Sequence, residues 1–101
     1  MELSVLERLI LLNLLPNEGN YANLKLLRVA RESLSFTDEE HKVLKFKQEG
    51  DQMRWEDGAV GEKEIKVGEV VSQLISKELK KLNSEEKLKE EHTSLYEKFV
   101  D

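Results

Sequence analysis

Cysteine is absent from this chain, and the common residue patterns that carry chemistry are absent with it. Without thiols there is no disulfide, no thiolate zinc site and no cysteine nucleophile, so packing alone must hold the fold. The five glycines form no phosphate-binding loop or nucleophile elbow, and no two carboxylates have a spacing typical of acid/base catalysis. We therefore expect a protein that is not an enzyme, with no catalytic residue and no cofactor.

An excess of basic residues and a long hydrophobic run are lacking as well. The 16 Lys and Arg against 21 Asp and Glu give a net charge of −5, which disfavours binding to nucleic acid or anionic membranes. The most apolar segment, residues 1–16, is too short to span a bilayer, and Glu2 stands where a secretion signal has basic residues. We expect one domain, residues 1–101, in the cytoplasm, with its N-terminal segment retained.

Residues 1–16 form the segment around which the rest of the chain is expected to fold. In a helix, Ser4, Glu7 and Arg8 share one face, but Leu11 and Leu15 fall on that same face further along. The opposite face is apolar too, with Leu6, Leu9 and Ile10. Such a helix needs cover on two sides, from the C-terminal helix of the same chain or from a second copy. We favour the second copy, which predicts a homodimer associated through Leu11 and Leu15.

A second helix is predicted from an N-cap at Asn20 to Leu34, after the turn that follows Pro16. Its predicted apolar face consists of Ala22, Leu26, Leu27, Val29 and Ala30. The opposite side carries a basic row of Lys25, Arg28 and Arg31. This row is a candidate partner-binding surface for an acidic protein or a phosphate; the alternative is a solvated face on which Arg28 pairs with Glu32.

A short helix and a β-hairpin are predicted next. Thr37 and Glu40 have the spacing of a capping box, which indicates a helix over residues 38–44. From residue 45 the hydrophobic period becomes two, and Gly50-Asp51 suits a two-residue hairpin turn. The cross-strand pairs in this register are Phe46 with Trp55, Gln48 with Met53, Lys45 with Glu56, and Lys47 with Arg54. The first two pairs are predicted to face the helices, and the charged pairs to face solvent.

A third strand and two more helices complete the predicted fold. After a loop at residues 57–61, the alternation of residues 64–67 predicts a strand with Ile65 and Val67 in the core. A helix from Glu69 to about Leu82 follows, and a last helix over residues 85–100. Leu88, His92, Leu95 and Phe99 form the apolar stripe of that last helix. The prediction is an α+β domain with an N-terminal helical hairpin, a short helix, a three-stranded antiparallel sheet and two C-terminal helices.

The two histidines do not assemble a metal site. His92 has no second ligand at i±3 or i±4 on its stripe, so we interpret it as a packing residue. His41 follows Asp38 by three residues, but the neighbouring sequence supplies no third ligand on that face. No bound metal is expected.

A helix followed by a hairpin is also compatible with a winged-helix protein. Residues 38–44 would then be the recognition helix, and the hairpin at Gly50-Asp51 would be the wing. That helix begins Asp38-Glu39-Glu40, which would bring three carboxylates to the DNA phosphates. Nucleic acid is therefore not the favoured partner.

Several short segments resemble those of a family of small uncharacterised bacteriophage and prophage proteins. They are ERL (residues 7–9), LLPNEGN (14–20), LK (24–25), LSFTDEE (34–40), Trp55, EIKV (64–67) and LYEKFV (95–100). The resemblance implies a phage origin and action in the host cytoplasm, but it transfers no functional residue, since the family has no established activity. We expect a non-enzymatic phage interaction protein that binds a host or phage protein, or itself. The alternatives are a small-molecule or nucleotide-sequestering protein that counters a host defence, and a winged-helix-like DNA-binding regulator.

Overall fold

The computed structural model describes residues 1–56 and 61–100. Within these ranges the α-helices are α1 (Val5–Leu14), α2 (Tyr21–Leu34), α3 (Asp38–Leu44), α4 (Glu69–Ser84) and α5 (Thr93–Phe99). The strands are β1 (Glu2–Leu3), β2 (Lys47–Glu49), β3 (Gln52–Arg54) and β4 (Lys63–Glu64), and one 3₁₀ turn covers Glu90–His92. The predicted loop at 57–61 lies outside the described residues except for Gly61. The described residues are mixed helix and strand, as the α+β class requires.

The first helix begins at Val5 and not at Met1, because Ser4 is its N-cap. The Ser4 hydroxyl accepts a hydrogen bond from the Glu7 amide at 3.2 Å, and the Glu7 carboxylate accepts one from the Ser4 amide at 2.9 Å. This reciprocal pair satisfies two amides that a helix start leaves free. The two residues before the cap form β1, which pairs antiparallel with β4.

One core lies between α1, α2, α4 and α5. Its buried members are Leu3, Leu11, Leu15, Leu27, Ala30, Leu34, Ile65, Val71, Ile75, Leu79 and Leu95. Leu11 and Leu15 are only 0% and 5% exposed, so the predicted dimer patch is wrong: the two leucines are covered within one chain. Leu95 of α5 belongs to the same cluster, which agrees with the alternative in which the C-terminal helix folds back.

The predicted three-stranded sheet is wrong, because the strands of the described residues form two separate two-stranded sheets. β2 and β3 form the predicted hairpin in the predicted register, with Lys47 opposite Arg54 and Gln48 opposite Met53. Gly50 has a φ of +60° in its turn, a conformation that glycine adopts without steric cost. β4 pairs instead with β1, a segment that was assigned to the first helix. The predicted third strand therefore pairs with the N-terminal strand and not with the hairpin.

Contrary to the prediction, the hairpin does not cover the core with an apolar face. All six residues of β2 and β3 are exposed. Phe46 and Trp55 are half-buried next to each other, with ring centroids 6.2 Å apart. The ring centroid of Phe46 also lies 5.0 Å from that of Phe36 and 5.5 Å from that of His41. Aromatic contacts therefore attach the hairpin to α3 and to the residues just before it. Of the predicted third strand, Ile65 is buried and Val67 half-buried.

The end of α4 and the last helix differ from prediction. α4 continues through Ser84 and ends in a left-handed residue, Glu86, with a φ of 57°. The Glu86 amide donates to the Asn83 carbonyl and the Lys87 amide to the Leu82 carbonyl, which is the Schellman pattern. The residues of this cap, Glu86 and Lys87, were predicted to lie in the first turn of the last helix. α5 is accordingly only seven residues long.

Candidate functional site

The first helix is oriented with its charged residues inward. Arg8 is 0% and Glu7 5% exposed, whereas Leu6 on the opposite face is 39% exposed. Leu9 and Ile10, on that opposite face as well, are half-buried. Leu11 is buried on the same side as the charges, so α1 is apolar on both faces, and the reason that this face is turned inward must lie in the partners of the two charges.

Arg8 joins α1 to the end of α2 and to α3. Its guanidinium binds both carboxylate oxygens of Glu40, at 2.6 and 3.2 Å. It also donates to the carbonyls of Leu34 at 3.1 Å and Ser35 at 2.7 Å, and its Cζ lies 4.0 Å from the centre of the Phe36 ring. The bond from Arg8 is the largest cause that lowers the pKa of Glu40, to about 2. Bidentate geometry, backbone acceptors and an aromatic face together compensate the burial of this charge.

Glu7 joins α1 to α5. Burial raises the pKa of this carboxylate, but the bond from the Lys98 ammonium at 2.8 Å and the Ser4 amide lower it more, so the net shift is downward. Lys98 also donates to the Glu2 carbonyl at 2.8 Å, which connects α5 to β1. The second oxygen of Glu7 is buried and accepts no hydrogen bond from the described residues. Both charges on α1 therefore serve to hold helices together.

A groove with a mixed apolar and polar lining lies on the other side of α1. The α1 groove, as we call it, has a volume of about 510 Å³ and is lined by Leu6, Leu9, Ile10, Asn13, Asp51, Gln52, Met53, Trp55, Lys89 and Glu91. The helix supplies one wall, and β3 together with the residue after it supplies the other, where Met53 is 42% exposed and Trp55 is half-buried. Half of its lining residues are apolar and half are polar, and its charged residues come from the hairpin turn and the segment before α5. This composition suits the binding of an amphipathic surface rather than a reaction.

A second recess continues the α1 groove towards the end of α4. It measures about 380 Å³ and shares Ile10, Asn13, Lys89 and Glu91 with the groove. His92 lines this recess, and its Nδ1 accepts a hydrogen bond from the Lys89 amide at 2.9 Å. That bond gives His92 a structural role in the turn before α5, consistent with its interpretation as a packing residue. Within residues 1–56 and 61–100, no three side chains are placed to hold a metal ion.

The basic row on α2 divides into two kinds of residue. Lys25 and Arg28 are exposed, but Arg31 is half-buried and donates to the Pro16 carbonyl at 2.7 Å. Arg31 therefore ties α2 to the end of α1, and a binding surface of all three residues is not formed. No ion pair joins Arg28 to Glu32. The predicted apolar face of α2 is correct at Leu27 and Ala30 and wrong at Ala22, Leu26 and Val29, which are exposed.

The sequence identifies Leu6, Leu9 and Ile10 as an apolar face, but it does not predict that they form one site with Met53 and Trp55, although one signal was available. Ser4 and Glu7 have the spacing of a capping box, which places the helix start at Val5 and assigns Glu7 to a structural task. The burial of Arg8 has no local signal, because its partners lie 26 to 32 residues further along the chain. The exposure of Leu6 follows from that long-range contact.

Comparison with protein-family models, with curated proteins and with solved structures finds no match to this chain. The resemblance to phage proteins thus stays a prediction. Among the described helices, none combines the length and hydrophobicity needed to cross a membrane.

Proposed function

We propose that this chain is a non-enzymatic interaction protein of phage origin that binds a protein partner in the host cytoplasm through the α1 groove. The observation that carries the proposal is that Leu6 is exposed and Leu9 and Ile10 are only half-buried, while their charged neighbours Glu7 and Arg8 are buried. Three apolar side chains beside a tryptophan and an exposed methionine form a contiguous surface. Surfaces of this kind mark sites of protein association.

An amphipathic helix is the partner segment that fits this groove best. The exposed face of α1 runs from Leu6 to Asn13, two turns or about 10 Å, which matches two or three anchors spaced i, i+3/i+4 and i+7. Met53 is a flexible side chain that adapts to different apolar anchors. Lys89 and the carboxylates of Asp51 and Glu91 line the groove as well and can pair with the polar residues that flank such anchors.

The two other functions have less support from the described residues. Sequestration of a nucleotide needs several donors around a phosphate, whereas the α1 groove combines Lys89 with two carboxylates. DNA binding through α3 would use a helix whose Asp38 and Glu39 are exposed and whose Glu40 is committed to Arg8. Neither alternative is favoured by a specific contact.

The test is affinity capture from a host lysate with three immobilised proteins. They are the wild type, a groove variant with Leu6→Glu and Met53→Glu, and a control variant with Val70→Glu. Val70 is 41% exposed on α4 and does not line the groove, so the control adds a carboxylate at a similar apolar position elsewhere. Circular dichroism confirms that each variant is folded.

We expect a protein that is retained by the wild type and the control and lost by the groove variant. A purified partner should then shift the fluorescence of the single tryptophan, Trp55, to the blue as the groove is covered. Equal retention by the groove variant would reject the groove as the binding site. Retention of nothing beyond the proteins that bind an empty matrix would reject the proposed function itself.

A further inference from the structure

The second helix carries an apolar stripe on the side that faces away from the core. Leu26 and Val29 are 43% and 55% exposed, and Ala22 and Ser33 are exposed on either side of them. The spacings of four, three and four residues place these side chains in one line along α2. That pattern is the contact seam of two packed helices. In the described chain, the core contacts of α2 come from its other face.

Two opposite charges flank the stripe on one side. Lys25 and Glu32 are exposed, lie seven residues apart on α2, and take part in no ion pair within the described residues. In an antiparallel helix pair related by a two-fold axis, each flanking position faces the equivalent position of the other helix. When Leu26 packs against Val29 of a second copy and Ala22 against Ser33, Lys25 meets Glu32 of that copy.

The alignment that pairs the apolar residues is thus the same alignment that pairs the charges. A parallel alignment does not have this property, because it places Lys25 next to Ala30 of the second copy. An unrelated partner would have to supply a matching acidic and basic residue, whereas the chain itself already supplies both. The stripe and its charges are self-complementary.

We propose that α2 is a self-association surface that joins two copies of this chain as an antiparallel, two-fold symmetric helix pair. This inference does not depend on the proposed function, since the α1 groove and the α2 stripe share no residue. A 14-residue helix is about 21 Å long, so this contact is smaller than the roughly 1,200 Å² buried in a standard stable interface. We therefore expect a weak dimer that forms at high micromolar concentration.

A charge exchange tests the pairing by sedimentation equilibrium over a range of concentrations. Lys25→Glu places two like-charged pairs in the antiparallel dimer and should weaken it about tenfold, whereas Lys25→Glu combined with Glu32→Lys should restore it. Leu26→Glu should give monomers, and Val70→Glu should behave as the wild type. A wild type that stays monomeric at every concentration, or a dimer that ignores the charge exchange, would overturn the proposal.

Cross-linking tests the antiparallel alignment directly, because the chain has no native cysteine. In the proposed dimer Ala22 lies beside Ser33 of the second copy, whereas the two Ala22 residues are about 16 Å apart. A mixture of Ala22→Cys and Ser33→Cys chains should form disulfide-linked dimers faster than either chain alone. Equal rates for the mixture and the separate chains would overturn the alignment, and circular dichroism of the reduced variants confirms that they are folded.

Discussion

Arg8 has no solvent-exposed surface, so its charge is compensated entirely by groups of the protein. We predict that Glu40→Gln lowers the free energy of unfolding by about 3 kcal/mol at neutral pH, because the buried guanidinium loses its counter-ion. Glu39→Gln is the matched control: it changes an exposed carboxylate one residue away and should cost less than about 0.5 kcal/mol. Urea unfolding of the three proteins measures the difference. Equal losses in the two variants would contradict a stabilising role of the pair.

The lowered pKa of Glu40 also predicts how the free energy of unfolding depends on pH. The pKa of Glu40 is about 2 in the folded chain against the usual value of 4.5, so the unfolded chain binds its proton first as the pH falls. Stability from this group is complete above about pH 5 and is lost as the pH falls from 4.5 to 2, by about 3 kcal/mol in total. Unfolding free energies of the wild type and Glu40→Gln should therefore converge in this range. A constant difference down to pH 2 would contradict the pKa assignment.

Arg31, like Arg8, donates a hydrogen bond to a backbone carbonyl of another segment. It donates to the Pro16 carbonyl, whereas Arg28 is exposed one turn earlier. We predict that Arg31→Met destabilises the fold by about 1 to 2 kcal/mol and Arg28→Met by less than about 0.5 kcal/mol. Thermal and urea unfolding measure both changes. A large effect of Arg28→Met alone would show that the exposed part of the row has a structural role.

At the scale of elements, the end of α4 contains a strained backbone conformation that a single substitution can relieve. Glu86 occupies the left-handed position of a Schellman cap, where a side chain is strained and glycine is the usual residue. We predict that Glu86→Gly raises the free energy of unfolding by about 0.5 to 1 kcal/mol, after allowance for the greater chain entropy of glycine. Lys87→Gly, which changes the next residue, should not stabilise the chain. Stabilisation by both variants would assign the effect to glycine anywhere in this loop rather than to the left-handed position of the cap.

The hairpin shows how far local pattern predicts an element and where it stops. Its turn and register were predicted from alternation and from Gly50-Asp51, and both are confirmed. Its predicted packing against the core is wrong, because alternation does not specify which surface an element contacts. Phe46 contacts Phe36 and His41, and Met53 remains 42% exposed beside α1.

At the scale of the whole molecule, the α1 groove and the α2 stripe are two separate surfaces. We predict that Leu6→Glu with Met53→Glu abolishes partner capture and leaves self-association unchanged. Lys25→Glu should weaken self-association about tenfold and leave partner capture unchanged. Sedimentation equilibrium and affinity capture on both variants check this independence. Loss of both activities in either folded variant would show that partner binding and dimer formation use one surface.

The helix boundaries set by caps were determined by the sequence alone. Asn20, Thr37 and the turn at Gly50 each act within a few residues, so their effects are encoded locally.

The face that α1 turns inward was decided by the tertiary structure. Arg8 reaches Leu34, Ser35 and Glu40, and the free energy of that network outweighs the tendency of Leu6 to be buried. The pairing of β4 with β1, and with it the absence of a three-stranded sheet among the described residues, was decided in the same way. Contacts between residues about 60 positions apart form only once the helices have packed, and no local pattern specifies them.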